Sequence, residues 1–294
     1  MAAEGPITDW FPARLFPSRP WETPTKEKDQ LSVIILNQPL TDIQTLKRVW
    51  HNSSYRVAAD GGANHLYDCC SQAISRKAEE QKPEEVLSDL DVIIGDLDSL
   101  TETSQSYFEE ATGGKVQVIL DRDQDSSDFT KALRHIRERR GGKGGESKST
   151  DIVCMGGLGG RVDQGLSQLH HLYLFQTSPT YAEGRVYLVS GESLTFLLKA
   201  GTHRIHVRER ERARAENGAN GGDVFGKHVG IVPIREPSVI STKGLEWDVE
   251  DWPTEFGGQI STSNHVPPDT EVVEVRASKD VLFTIALKSW PAES

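Results

Sequence analysis

Cysteine is scarce in this sequence, long apolar runs and an excess of basic residues are missing from it, and each shortage excludes something. Only Cys69, Cys70 and Cys154 occur. An odd count containing an adjacent pair makes a poor disulfide framework, so a reducing cytosol is the expected compartment. No segment approaches the ~18 apolar residues of a membrane helix. At the N-terminus Trp10, Phe11, Phe16 and Trp21 are broken up by prolines, which leaves no signal-peptide core. The chain is expected neither to span a membrane nor to be exported. Its 33 Lys and Arg against 44 Asp and Glu give a net charge of −11, which repels a polyanion unless the basic groups gather on one face. Nucleic acid is therefore not an expected partner. A Walker A loop is also absent, since none of the three Gly-Lys pairs, at Gly114, Gly142 and Gly226, is followed by Ser or Thr.

What remains is a composition suited to packed cores. Apolar residues make up 36% and charged ones 26% of 294 positions, enough chain for two domains. From Leu31 to about Ser190 short β-branched runs alternate with helix-like segments, the pattern of a parallel sheet with crossover helices. The strand candidates are Val33–Leu36, Tyr55–Ala59, Val92–Ile94, Val116–Ile119, Ile152–Met155 and Val186–Val189. The clearest amphipathic helix is expected from Asp128 to Arg139, where Phe129, Ala132, Leu133 and Ile136 recur at helical spacing and Ser126, Ser127 or Asp128 can cap the start. From Ser193 onward short strands separated by Gly, Pro and Asn predict an all-β domain. The expected organisation is an N-terminal extension (1–30), an α/β domain (31–190) and an all-β domain (191–294). Gly141–Ser149 and Glu209–Asp223 read as inserted loops.

Three strand candidates run into carboxylates or glycines, at the end of an open α/β sheet where ligands bind. Tyr55–Ala59 leads into Asp60-Gly61-Gly62-Ala63-Asn64, and Val92–Ile94 into Gly95-Asp96-Leu97-Asp98-Ser99. If the chain stays extended there, Asp96 and Asp98 point to one side and can share a Mg²⁺, a hard ion that takes oxygen ligands. The same residue types also form plain turns. A second acidic group, Asp121, Asp123, Asp125 and Asp128, precedes the predicted helix; Asp128 can face the crevice from its start, with Lys131 reaching a phosphate one turn on. The fifth strand enters Gly156-Gly157-Leu158-Gly159-Gly160-Arg161-Val162-Asp163-Gln164. Glycines at such a junction let backbone amides approach phosphate, and Arg161 adds a planar fork for its oxygens.

Taken in order, these segments resemble the thiamine pyrophosphokinase family. The resemblance extends to Ser190-Gly191-Glu192-Ser193-Leu194, Ser241-Thr242-Lys243-Gly244-Leu245-Glu246-Trp247 and Ser261-Thr262-Ser263-Asn264. It implies an α/β nucleotide-binding domain with a parallel sheet, followed by a β-sandwich that binds thiamine, in a homodimer with active sites at the interface; the cysteine count adds the expectation that it is cytoplasmic. It further implies Asp96, Asp98 and Asp128 as Mg²⁺ ligands. Asp60, Gly61, Gly62, Asn64, Lys131, Arg161 and Gln164 are expected to line the ATP side, with Asp163 beside the reacting groups. Trp247 is expected to stack on thiamine, a cation that an indole face attracts, with Ser263 and Asn264 near it. The implied reaction moves pyrophosphate from ATP to the thiamine hydroxyl. Two other readings are a non-catalytic thiamine or nucleotide sensor and a Mg²⁺-dependent phosphohydrolase of the haloacid-dehalogenase type; against the latter, Asp96-Leu97-Asp98-Ser99 lies at the third strand rather than the first. The inserted loops and the role of His170 are left open.

Overall fold

The computed structural model describes residues 7–17, 31–76, 87–140, 149–209 and 223–289. Most of the two inserted loops, and of the N-terminal extension, lies outside them. The chain falls into two compact units, one of Thr23–His171 with Glu183–Gly191, the other of Met1–Glu22, Leu172–Ala182 and Glu192–Ser294.

The first unit is built on six parallel strands. These are β2 (Leu31–Ile35), β3 (Tyr55–Ala59), β4 (Val92–Gly95), β5 (Gln117–Leu120), β6 (Asp151–Met155) and β7 (Val186–Val189), in the spatial order β7-β6-β2-β3-β4-β5. β2, β4 and β7 are buried at every residue, as expected of parallel strands covered on both faces. Helices α1 (Ile43–Asn52), α2 (Gly62–Arg76), α3 (Glu102–Ala111), α4 (Asp128–Arg140) and α5 (Val162–Phe175) alternate with them. Asp42 caps α1 by accepting the Thr45 amide at 3.0 Å, and Thr101 caps α3 by accepting that of Ser104 at 3.2 Å. α2 starts where it does because Gly62 lacks a side chain: a Cβ there would stand 2.3 Å from the Ile35 carbonyl.

This strand order fixes where a ligand can go. From β2 the chain steps outward through β3, β4 and β5, then returns to place β6 on the other side of β2. The connections leaving β2 and β6 run in opposite directions and open a crevice beyond their carboxyl ends.

The second unit is a β-sandwich. One sheet has the order β1-β9-β14-β11-β12, and four antiparallel strands in the order β13-β10-β15-β8 face it. The strands are β1 (Ile7–Trp10), β8 (Ser193–Leu198), β9 (Gly201–His206), β10 (Phe225–Val232), β11 (Ser238–Lys243), β12 (Trp252–Thr254), β13 (Ser261–His265), β14 (Val272–Ala277) and β15 (Val281–Leu287). β1, from the N-terminal extension, pairs in parallel with β9. Its Trp10 is fully buried, with the ring 4.6 Å from that of Phe196 and 4.8 Å from that of Tyr181. The indole N–H donates to His203 Nδ1 at 3.0 Å, which leaves His203 Nε2–H to donate to the Lys199 carbonyl at 2.7 Å.

All three cysteines are free thiols. Burial pushes Cys69 up to about 11 and Cys70 up to about 12, so neither supplies a thiolate near neutral pH. No described helix is long and apolar enough to cross a membrane.

Trp10→Ala removes both the ring packing and the His203 bond. It is expected to destabilise the protein by about 3 to 5 kcal/mol, measured as a lowered denaturant midpoint. A variant within 1 kcal/mol of the parent, on the order of an exposed substitution, would show that β1 is not part of this core.

Candidate active site

The carboxylates expected at the strand ends do converge, by a route other than extended chain. Leu97 takes φ 63°, in the left-handed region, so Asp96-Leu97-Asp98 turns back on itself. The Asp98 amide donates to Asp96 Oδ1 at 3.3 Å. Asp60, at the end of β3, also has positive φ, 45°, and enters the same space. One carboxylate oxygen each from Asp60, Asp96 and Asp98 lie within 4.8 Å of one another. Asp60 is buried; its Oδ2 accepts the Ser99 amide at 3.2 Å, while Oδ1 has no hydrogen-bond partner. Burial raises its carboxyl above the usual range, the Ser99 amide opposes this, and the charges of Asp128 and Asp96 add to it. A buried acceptor with no donor, facing two further carboxylates, has the chemistry of an oxygen-lined cation site.

Asp128 reaches this group from the first turn of α4. Its Oδ1 accepts the Asp96 amide at 3.3 Å and the Lys131 ammonium at 3.0 Å. Gly95 makes the approach possible, since a Cβ there would lie 2.7 Å from Asp60 Cβ and 2.9 Å from Asp128 Oδ1. Lys131, read from sequence as reaching a phosphate, is turned inward, its side chain 1% exposed. Burial alone would lower its pKa, but the hydrogen bond and charge of Asp128, with Asp96 and Asp121, raise it overall. Asn64 ties α2 to the acidic loop: its amide donates to the Ser99 carbonyl at 2.7 Å and its oxygen accepts the Thr101 amide at 3.1 Å. Asp121, Asp123 and Asp125 form successive turns, with Asp121 accepting the Asp123 amide and Asp123 that of Asp125, each at 3.0 Å.

Beside the carboxylates, a cavity of about 380 Å³ opens at the strand-order reversal. It is lined by Asn37 and Gln38 after β2, Gly156 after β6, Asp128 and Phe129 of α4, and Arg161, Gln164 and Gln168 around the start of α5. Arg161 is 73% exposed at its side chain and pairs with Asp163, Nε to Oδ1 at 3.1 Å and Nη2 to Oδ2 at 2.5 Å. That bond holds the Asp163 carboxyl below its ordinary range. Asn37 and Gln38 escaped the sequence reading because Asn-Gln-Pro after a strand looks like a turn; only the strand order sets them opposite Gly156.

In the β unit, Trp247 is 54% exposed on the turn after β11. Asn264, on β13, is buried and holds that turn, its amide donating to the Trp247 carbonyl at 2.8 Å and its oxygen accepting the Trp247 amide at 3.2 Å. Asp248 accepts the amides of Gly244 and Leu245 at 2.9 and 3.1 Å. Ser263 stands at φ 57° next to Asn264. The indole is backed by His265, ring centroids 4.9 Å apart, and His265 Nδ1 bonds Glu246 at 2.6 Å.

Two family profiles match the chain: thiamin pyrophosphokinase, catalytic domain, over residues 46–182, and thiamin pyrophosphokinase, vitamin B1 binding domain, over residues 202–282. Thiamine pyrophosphokinase 3 of Oryza sativa subsp. japonica is 33% identical over 261 residues, 87% of either chain. Thiamine pyrophosphokinase 1 of Arabidopsis thaliana is 32% identical over 271 residues, 90% of this chain and 89% of its own. The crystal structure of yeast thiamin pyrophosphokinase superposes with a TM-score of 0.74 at 22% identity, covering 98% of this chain and 93% of that one, a likeness of fold. With both profiles in sequence order and relatives aligned along most of their length, the chain belongs to the thiamine pyrophosphokinase family.

Proposed function

We propose that the chain is an ATP:thiamine diphosphotransferase, passing the pyrophosphoryl group of ATP to the primary hydroxyl of thiamine and releasing AMP. The observation that carries this reading is the convergence of Asp60, Asp96 and Asp98 within 4.8 Å beside a cavity at the strand-order reversal, in a chain of this family. Asp96, Asp98 and Asp128 would hold Mg²⁺, and the orphaned Asp60 Oδ1 would be a further ligand. Bound there, the ion would offset negative charge on the phosphates.

The chain's own residues then have separable tasks. Asp60, Gly61, Gly62, Asn64 and Gln164 form the ATP side, where the backbone at Gly61 and Gly62 stays close to β2 and Asn64 fixes the acidic loop. Lys131 pairs with the Asp128 carboxylate from below instead of reaching outward. Arg161, exposed on its loop, can exchange Asp163 for a phosphate oxygen, a better match for its planar fork. That exchange frees Asp163 from the partner that depresses its pKa and makes it a stronger acceptor for the thiamine hydroxyl proton. Alignment and charge neutralisation account for most of such a transfer. On the thiamine side, Trp247 offers an indole face to the cation, its turn held by Asn264 with Ser263 adjacent. The working unit in this reading is a homodimer in which Trp247 of one subunit completes the other's site. Cytoplasmic residence agrees with three free thiols.

Product chromatography with ATP, Mg²⁺ and thiamine is expected to give AMP and thiamine diphosphate in equal amounts, with little AMP when thiamine is omitted. Asp96→Asn and Asp98→Asn should each lower turnover on the order of 100-fold or more with the melting temperature nearly unchanged. ADP with thiamine monophosphate would refute pyrophosphoryl transfer, rapid AMP release without thiamine would indicate a hydrolase, and binding without turnover a sensor. Trp247→Ala is expected to weaken thiamine binding about 2- to 30-fold in calorimetry while ATP binding holds. Sedimentation showing a fully active monomer at assay concentration would remove the shared site.

A further inference from the structure

The sequence directs attention to His170, but the structure uses its neighbour. His170 is exposed, whereas His171 on α5 is buried and makes contacts on three sides. Its Nδ1 lies 2.6 Å from the Ser167 carbonyl. A carbonyl only accepts, so Nδ1 carries the proton, and in the neutral ring Nε2 must accept. Nε2 stands 2.7 Å from Thr130 Oγ1 and 3.1 Å from Ser127 Oγ. The imidazole face packs against Phe129, ring centroids 4.4 Å apart and nearly parallel at 24°. Ser127 in turn accepts the Thr130 amide at 3.2 Å, closing the first turn of α4.

Every one of those α4 contacts flanks Asp128. Ser127 precedes it, Phe129 and Thr130 follow it, and Asp128 itself projects the other way, to the Asp96 amide and Lys131. An aliphatic residue could fill the volume and an amide could supply one polar contact, but only a neutral imidazole gives a donor to α5, an acceptor to α4 and a flat face to Phe129 together. A buried polar ring is costly unless satisfied, and here both nitrogens are matched, Nδ1 to the Ser167 carbonyl of its own helix and Nε2 to the hydroxyls on either side of the carboxylate. We propose that His171 is a positioning residue for the reaction: by accepting the Thr130 hydroxyl bond it fixes the first turn of α4, and through it the place of the Asp128 carboxylate against Asp96. The inference rests on the proposed activity for its catalytic consequence, and on geometry alone for its structural one.

Two conservative variants separate this from simple packing. His171→Asn keeps a donor for the Ser167 carbonyl but is too short for Thr130; His171→Gln can place an amide oxygen near the position of Nε2. His171→Asn is expected to lower kcat about 10- to 100-fold, as a small misplacement does, with KM for thiamine within about twofold; His171→Gln should recover most of the loss. Thr130→Val should match His171→Asn, and the double variant should lose little more. Amide hydrogen exchange supplies a readout that needs no turnover: protection of the Asp96 N–H should fall in His171→Asn and Thr130→Val and return in His171→Gln. Equal kcat in the Asn and Gln variants at equal melting temperature, or an Asp96 amide equally protected in all, would overturn the proposal. If the unaltered protein makes no thiamine diphosphate, the activity reading fails by itself, and the exchange data still decide the positioning role.

Discussion

Like charges crowd the carboxyl ends of β3 and β4, and much of the first unit is arranged to hold them there. Two unit charges ~4 Å apart at an effective dielectric of ~20 repel by about 4 kcal/mol, so carboxylates whose oxygens lie within 4.8 Å of one another need compensation. Some comes from backbone donors: the amides of Ser99, Asp96 and Asp98 each point at a carboxylate of the group. Some comes from Lys131, held under the site by Asp128. The rest is structural. Gly95 leaves room where any side chain would collide with Asp60 and Asp128, and Asp60 and Leu97 adopt positive φ, a conformation non-glycine residues accept only under constraint. Burial, and after it the charges of Asp128 and Asp96, still hold the Asp60 carboxyl above its usual range.

The same crowding explains why the neighbouring helices are tied to one another as well as to the sheet. α2 reaches the acidic loop through Asn64, and α5 reaches the start of α4 through His171. Each link is a pair of polar contacts that leaves a backbone carbonyl or a hydroxyl satisfied and a carboxylate aimed. The cavity beside them has the Asp128 carboxylate in its lining together with the side-chain amides of Asn37, Gln38, Gln164 and Gln168 and the exposed cation of Arg161, so it is acidic where it meets the carboxylates and carries a cation at the start of α5.

Much of this was legible in the sequence, for reasons that also mark where reading fails. β-branched runs located the parallel strands to within a residue or two, the expected Val33–Leu36 appearing as Leu31–Ile35 and Tyr55–Ala59 unchanged, because a strand buried on both faces has no choice of composition. Strand order was not legible, since it depends on which way each crossover turns, and Asn37 and Gln38 became part of a cavity only through that order. Asp96-Leu97-Asp98 gave the right convergence from the wrong backbone: nothing about leucine announces a left-handed conformation. Asp128 and Lys131 at i and i+3 fit an ion pair as well as two outward-facing groups, and burial selected the pair. His171 had a signal that went unread. Gln164, Gln168 and His171 fall at helical spacing on one face of α5, which separates it from the solvated His170.

The pairing of β1 with β9 has a bearing on how the protein is made. Trp10 and His203 are separated by 193 positions, and every described strand of the α/β unit lies between them in the chain. A ribosome adding roughly 5 to 20 residues per second completes β1 some tens of seconds before β9, the strand it pairs with. The α/β unit can fold meanwhile from nearly contiguous chain; the sandwich, whose contacts are far apart in sequence, closes late. Among the described strands of the sandwich, the β1–β9 pairing therefore joins the partners most widely separated in the chain, and it can form only after the whole α/β segment has been synthesised.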